Sequence, residues 1–128
     1  MITEDYVSFE TAKLLKEKGF DENCSRSYVK DKLAVSQGFN NSYYTTMYSD
    51  GCYRPISAPT LQMAMKWLRE THSLEIYPYH DYTEGNEKWW FEVIRFRSSY
   101  AEHESDSIYL KYEEACKAAI KYCLENLI

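Results

Sequence analysis

The residues able to do chemistry in this chain are few and scattered. His72, His80 and Asp81 loosely echo the His and His-Asp spacing of helical phosphohydrolases, in which a bound metal activates water. Here His72 is expected at a helix end and His80 and Asp81 on a strand containing Pro78, which is the wrong scaffold for that ligand set. Glu102-His103-Glu104 with Asp106 gathers carboxylates and an imidazole in one stretch, but consecutive acids in a polar connector read as a solvated loop. Cys24, Cys52, Cys116 and Cys123 show no C-x-x-C pair and no histidine at zinc-finger distance. Cys116 and Cys123 lie on one helix face, roughly 10 Å apart by rise alone, too far for a disulfide. They read as small, buried, reduced residues. No Ser or Cys stands in a nucleophile motif, and the 4 Gly form no phosphate-cradling loop. No catalytic residue, metal site or cofactor is assigned on this basis.

What the chain does have in surplus is aromatic surface. Its 13 Tyr, 3 Trp and 5 Phe make up 16% of the residues, more than a core of this size requires, so many rings must stand partly exposed. Tyr and Trp offer large contact areas with few rotors to freeze and a polar tip for hydrogen bonding. The residues expected to bind a partner are Tyr77, Tyr79, Tyr82, Trp89 and Trp90, on consecutive strands. The ordinary alternative is that Tyr and Trp simply suit the pleat of a strand. The expected function is therefore a non-catalytic protein-interaction module that holds a protein partner or a second copy of itself. Two other readings stay open. Tyr77, Tyr79, Trp89 or Trp90 could stack single-stranded bases, with Arg95 and Arg97 for backbone charge; or a small enzyme pocket could join His72, His80 and His103 to nearby carboxylates.

Charge narrows these choices. With 15 Lys+Arg against 20 Asp+Glu the net charge is -5, and the pI near 5.2 argues against a general phosphate-backbone binder. No apolar run approaches the roughly 20 residues that span a bilayer. The stretch from Met1 to Phe9 lacks the basic start and apolar core of a signal peptide, so a cytoplasmic product without a membrane partner is expected. The 128 residues are enough for one core, hence one α+β domain over 1–128.

The elements that must carry these side chains follow from periodicity and punctuation. Ser8 caps a first helix running to about Lys18, Gly19 ends it in the left-handed conformation, and Phe20 returns against Leu15. Strands are expected at Tyr28 to Val35 and Tyr43 to Tyr48, joined by Ser36 to Ser42, with Asp50-Gly51 turning the chain onward. Leu61, Ala64, Met65 and Leu68 repeat at helical spacing after Pro59-Thr60, with Trp67 on the flank. One further turn brings His72 to the apolar side near the helix end, where the dipole would favour an imidazolium.

Leu74 to Tyr79 forms an edge or bulged strand because of Pro78, and Thr83 to Glu87 is the hairpin loop. Trp89 to Phe96 is the strongest strand signal, with Trp89, Phe91 and Val93 on one face and Trp90, Ile94 and Phe96 on the other. Either both faces are covered or a bulge shifts the register. Ser98 to Asp106 reads as loop, Ser107 to Leu110 as a short last strand, and Tyr112 to Leu127 as the final helix, buried along Tyr112, Ala115, Cys116, Ala119, Ile120, Cys123 and Leu127. The order α-β-β-α-β-β-(β)-α predicts an antiparallel sheet with helices packed on one face, leaving the surplus rings on the other.

From Thr60 to Ile128 this order resembles the double-stranded-RNA-binding domain, and Glu114-Ala115-Cys116-Lys117-Ala118-Ala119-Ile120 looks like the Ala-rich start of its last helix. That family straddles phosphates with lysines at this point, whereas Tyr112, Glu113 and Glu114 stand here, so the resemblance implies the topology and not the activity. Three blocks, Tyr6 to Phe20, Ala58 to Glu70, and Tyr112 to Ala115 with Ala118 to Ile128, resemble small uncharacterised proteins encoded by gut Bacteroidetes and their phages or mobile elements. This second resemblance implies a bacterial or phage accessory protein and carries no functional residues across.

Overall fold

The computed structural model describes residues 2–35, 46–48, 51–83, 85–98 and 101–128, with the side chains at 46–48, 51–53, 82, 83 and 86 excepted. The connector expected at Ser36 to Ser42, the strand start at Tyr43 and Asp50 of the expected turn lie outside the described residues. The fold is α+β, with three described helices and antiparallel strands in the expected alternation. Contacts divide the chain into two compact units, Met1–Thr60 and Leu61–Ile128.

The first unit begins with α1, Phe9–Glu17. Ser8 accepts the Thr11 amide at 3.2 Å, relieving one of the helix's orphan donors. At the other end Gly19 takes φ 98°. The Phe20 amide donates to the Leu15 carbonyl at 2.9 Å and the Gly19 amide to the Lys16 carbonyl at 3.2 Å. That pair of bonds is the Schellman cap expected from the sequence, and Leu15 and Phe20 are both buried.

The run Tyr28 to Val35 is not one strand. It is broken at Lys30-Asp31, where Lys30 adopts φ 61°, into β1 (Arg26–Val29) and β2 (Lys32–Val35). A two-residue turn without Gly or Asn leaves no mark in the sequence beyond polarity. A separate hairpin pairs β3 (Thr46–Tyr48) with β4 (Gly51–Tyr53). β5 (Ile56–Ser57) then completes the sheet β2-β1-β5. The N-terminal segment is tied in by Val7, whose amide donates to the Pro59 carbonyl at 3.1 Å and whose carbonyl accepts the Tyr28 hydroxyl at 2.7 Å.

The second unit is a three-stranded sheet with two helices. α2 spans Leu61–His72 and buries Leu61, Ala64, Met65, Trp67 and Leu68, so the stripe lies where the periodicity put it and Trp67 belongs to it. β6 (Leu74–Thr83) and β7 (Asn86–Arg95) form a hairpin of ten residues each, in register from Leu74 opposite Arg95 to Thr83 opposite Asn86. Gly85 at φ 77° lies within its turn, which is tighter than the five-residue loop read from the sequence.

β8 is Ala101–Glu104, inside the segment expected to be loop, and the register slips between Val93 and Ile94 where it joins β7. The expected strand at Ser107 to Leu110 reduces to a bridge in which Tyr109 and Trp89 exchange backbone bonds of 2.7 and 2.8 Å. α3, Tyr112–Asn126, starts at Lys111 without a side-chain cap and buries Ala115, Cys116, Ala119, Ile120, Cys123 and Leu124. It packs on β6, β7 and α2, and its small residues permit that close approach.

Candidate functional site

Parity along the hairpin sorts the aromatic residues into two sets, because successive side chains of a strand point to opposite faces. Leu74, Ile76, Phe91 and Val93 are buried and share one face; α2 and α3 pack on these strands. Trp89 belongs to this face too. It meets the Tyr112 ring of α3 edge-on at 5.3 Å and stacks on His80, its cross-strand neighbour, at 4.4 Å. Tyr82, opposite Glu87, occupies the same parity as Trp89, and its side chain lies outside the described residues.

The opposite face carries Tyr77, Tyr79, Trp90, Glu92 and Ile94. Tyr77 is 44% exposed and Tyr79 38%. Tyr79 and Trp90 face each other across the ladder, rings stacked at 5.7 Å and 14°. The Tyr79 hydroxyl donates to Glu92 Oε2 at 3.2 Å. Its phenol is pushed above the ordinary tyrosine range, first by partial desolvation and then by Glu92, with Tyr77 and Glu104 adding to the effect. So of the five aromatics singled out in the sequence, Tyr77, Tyr79 and Trp90 form one surface, and Trp89 turns to the helix side.

By sequence, Glu92 has no place at a site and Glu104 stands only in the acidic stretch read as solvated loop. They sit directly opposite each other, on β7 and β8. The Trp89 and Phe91 backbones bond toward Tyr109 and Ser105, so by alternation Glu92 bonds toward β6. Glu92 and Glu104 are therefore a non-hydrogen-bonded pair, the closer kind, with Cβ atoms about 4.5–5.5 Å apart. Glu92 was legible as a neighbour of Trp90 and Ile94 two residues away; Glu104 was hidden because its strand was read as loop.

The same alternation explains Pro78. Phe91 donates to the Ser105 hydroxyl at 3.2 Å and its carbonyl accepts the Ser105 amide at 2.9 Å. Its partner Pro78 consequently turns its nitrogen away from β7, on the edge strand of the β6-β7-β8 sheet, where a missing donor costs no ladder bond.

The three histidines occupy three different places. His72 lies against Trp67 at 4.8 Å and edge-on, and its Nε2 is buried without a hydrogen-bond partner. Burial pushes this imidazole below its ordinary range, and the Arg95 guanidinium pushes the same way, which corrects the expectation that the helix dipole would favour the charged form. Desolvation outweighs a dipole term of about 0.3–1 kcal/mol at a helix end. His80 stacks on Trp89. His103 points inward from β8, its ring 3.6 Å from that of Tyr122 and nearly parallel to it.

Neither nucleophile nor metal-ligand geometry emerges from these groups. Among the described residues no three His, Cys, Asp or Glu side chains converge on a metal-sized space. Glu102 is taken up by Arg95, Nε to Oε1 at 3.0 Å. Cys116 and Cys123 are free and buried, and burial pushes their thiols up to about 11 and about 12. Cys24 is half-buried and pushed up to about 11 by the same cause, so none of the three is an activated thiolate. No described helix is long and apolar enough to cross a membrane. Comparison with protein-family models, with curated proteins and with solved structures finds no match.

Proposed function

We propose that this chain is a non-catalytic interaction module that docks a protein partner on the face of its β6-β7-β8 sheet turned away from α2 and α3, through Tyr77, Tyr79 and Trp90. One observation carries the reading: these rings share the face opposite the buried Leu74, Ile76, Phe91 and Val93, with Tyr77 and Tyr79 substantially exposed. Rings of this kind, rigid and amphipathic, are the usual anchors of protein interfaces. We further propose a cytoplasmic setting, supported by the buried, reduced thiols of Cys116 and Cys123, and a bacterial or phage accessory role, supported by the resemblance of the three helical blocks. The order α2-β6-β7-β8-α3 supports the topological likeness to the double-stranded-RNA-binding domain. The acidic first turn of α3 speaks against that domain's activity.

The test is paired. Affinity capture with the wild-type chain and with Tyr77→Ser/Tyr79→Ser, followed by identification of retained proteins, is expected to show a partner that the variant loses. Both forms should melt within about 1 kcal/mol of each other, as exposed substitutions do. A partner retained equally by both, or a variant that no longer folds, would remove the docking face.

A further inference from the structure

The acidic residues of the docking face have unequal partners, and that inequality says what the face is built to receive. Five carboxylates share the parity of Tyr77, Tyr79 and Trp90: Glu75 and Asp81 on β6, Glu92 on β7, and Glu104 and Glu102 on β8, Glu102 being at the register slip and bonded to Arg95 at 3.0 Å. Glu75 is paired with Arg69 at 3.3 Å, and Asp81 stands opposite Lys88 in the ladder. Glu92 and Glu104 stand opposite each other instead, and no described lysine or arginine forms an ion pair with either. Like charges directly opposite in a sheet are destabilising. A sheet that keeps two of them side by side, one of them bonded to the Tyr79 hydroxyl at 3.2 Å, holds an unbalanced negative charge beside the stacked Tyr79-Trp90 pair.

Resting on the docking reading above, we infer that this face receives an arginine-bearing segment of a protein partner, the guanidinium lying on the Tyr79-Trp90 rings and its N–H groups bonding to Glu92 and Glu104. Three properties of arginine match this arrangement: a planar cation that stacks on aromatic rings, a fork of donors that meets carboxylates, and weaker hydration than an ammonium. The charge complementarity excludes the other occupants on physical grounds. A second copy of the face would bring the same two carboxylates against the first pair, and a nucleic-acid strand would bring phosphates. Pro78 removes a backbone donor from the open side of β6, which favours engagement of the face over addition of a strand to that edge.

The experiment titrates the whole chain with blocked hexa-arginine, hexa-lysine and hexa-glutamate peptides and follows backbone amides and the Trp90 indole by NMR. Hexa-arginine is expected to shift the Trp90 indole and the Glu92 and Glu104 amides, to bind more tightly than hexa-lysine, and to weaken as salt rises. In Glu92→Gln/Glu104→Gln its affinity should fall at least tenfold. That variant relieves like-charge repulsion and so keeps the fold. Glu4→Gln/Glu22→Gln removes the same charge from exposed positions elsewhere and should bind as the wild type does.

The inference is overturned if hexa-arginine causes no shift at millimolar concentration, if both double variants lose affinity equally, or if hexa-glutamate or oligo-dT binds the face as tightly. Tyr79-dependent dimerisation in sedimentation would overturn it as well. The docking reading has a separate fate. A captured partner lost by Tyr77→Ser/Tyr79→Ser but kept by Glu92→Gln/Glu104→Gln leaves the face standing and removes only its preference for arginine.

Discussion

His72→Phe should make the protein more stable, and should do so most at mildly acidic pH. The His72 Nε2 atom is buried and has no hydrogen-bond partner, a condition that costs about 1–3 kcal/mol per group. Phenylalanine removes that atom while keeping an aromatic edge for Trp67, which now meets the imidazole at 4.8 Å and 71°. The larger ring offsets part of the gain, leaving a net stabilisation of about 1 kcal/mol at pH 8, a rise of a few degrees in Tm. The pH dependence has a definite sign. Burial, then Arg95, lowers the folded-state pKa below the ordinary 6.5, so the unfolded chain binds the proton more readily. Stability associated with neutral His72 is complete above pH 6.5 and is lost as pH falls toward the folded-state value. Arg95 is itself held in place, bonded to Glu102 at 3.0 Å and to the Leu127 carbonyl at 3.4 Å, so its repulsion persists through the titration. Urea unfolding of both forms at pH 8 and pH 5.5 should therefore show a stability gap that widens in acid. A gap identical at the two pH values, or a variant weaker than wild type by more than 1 kcal/mol at pH 8, would refute the reasoning.

Two further expectations probe the units separately. Gly19→Ala should cost about 1 kcal/mol: its φ is 98° and an added Cβ would meet nothing within 4 Å, so the loss is torsional and Gly19→Asn, which tolerates that region better, should lose less in thermal melts. Cys116 and Cys123, buried and pushed up to about 11 and about 12, should stay unlabelled by an aromatic disulfide reagent at pH 8 and react in step with urea unfolding; rapid labelling of either in the native state would contradict their placement.

How far the sequence could be read depended on whether the signal was local. Ser8, Gly19 and Phe20 end α1 through bonds between residues a few positions apart, and those were legible in full. So were the buried stripes of α2 and most of α3, because a helix repeats its apolar positions within its own length. Strands need partners, and there the reading failed in two instructive places. Lys30-Asp31 turns the chain without the Gly or Asn that marks a two-residue hairpin turn, so one expected strand is really two. Ala101–Glu104 alternates about His103, whose ring is packed on Tyr122, but a histidine between two glutamates carries no apolar mark and the strand looked like solvent-facing loop.

The same distinction governs the candidate site. Alternation in β7 separates Trp89 from Trp90, yet nothing in the alternation says which of the two faces the helices will take. Composition alone therefore grouped both tryptophans with Tyr77 and Tyr79. The choice is made by partners distant in sequence: Tyr112 of α3 meets Trp89, and Tyr109 bonds to its backbone from the same side as β8. Once β7 is held that way, Trp90 must lie with Tyr79, and Glu92 must lie with Glu104. The aromatic stack and the opposed carboxylates are thus one consequence of a single register, and a shift of one residue between β7 and its neighbours would bury the acids and expose Phe91 and Val93. That burial penalty, several kcal/mol for an unpaired charge, is what keeps the charged and aromatic groups together on the outward face.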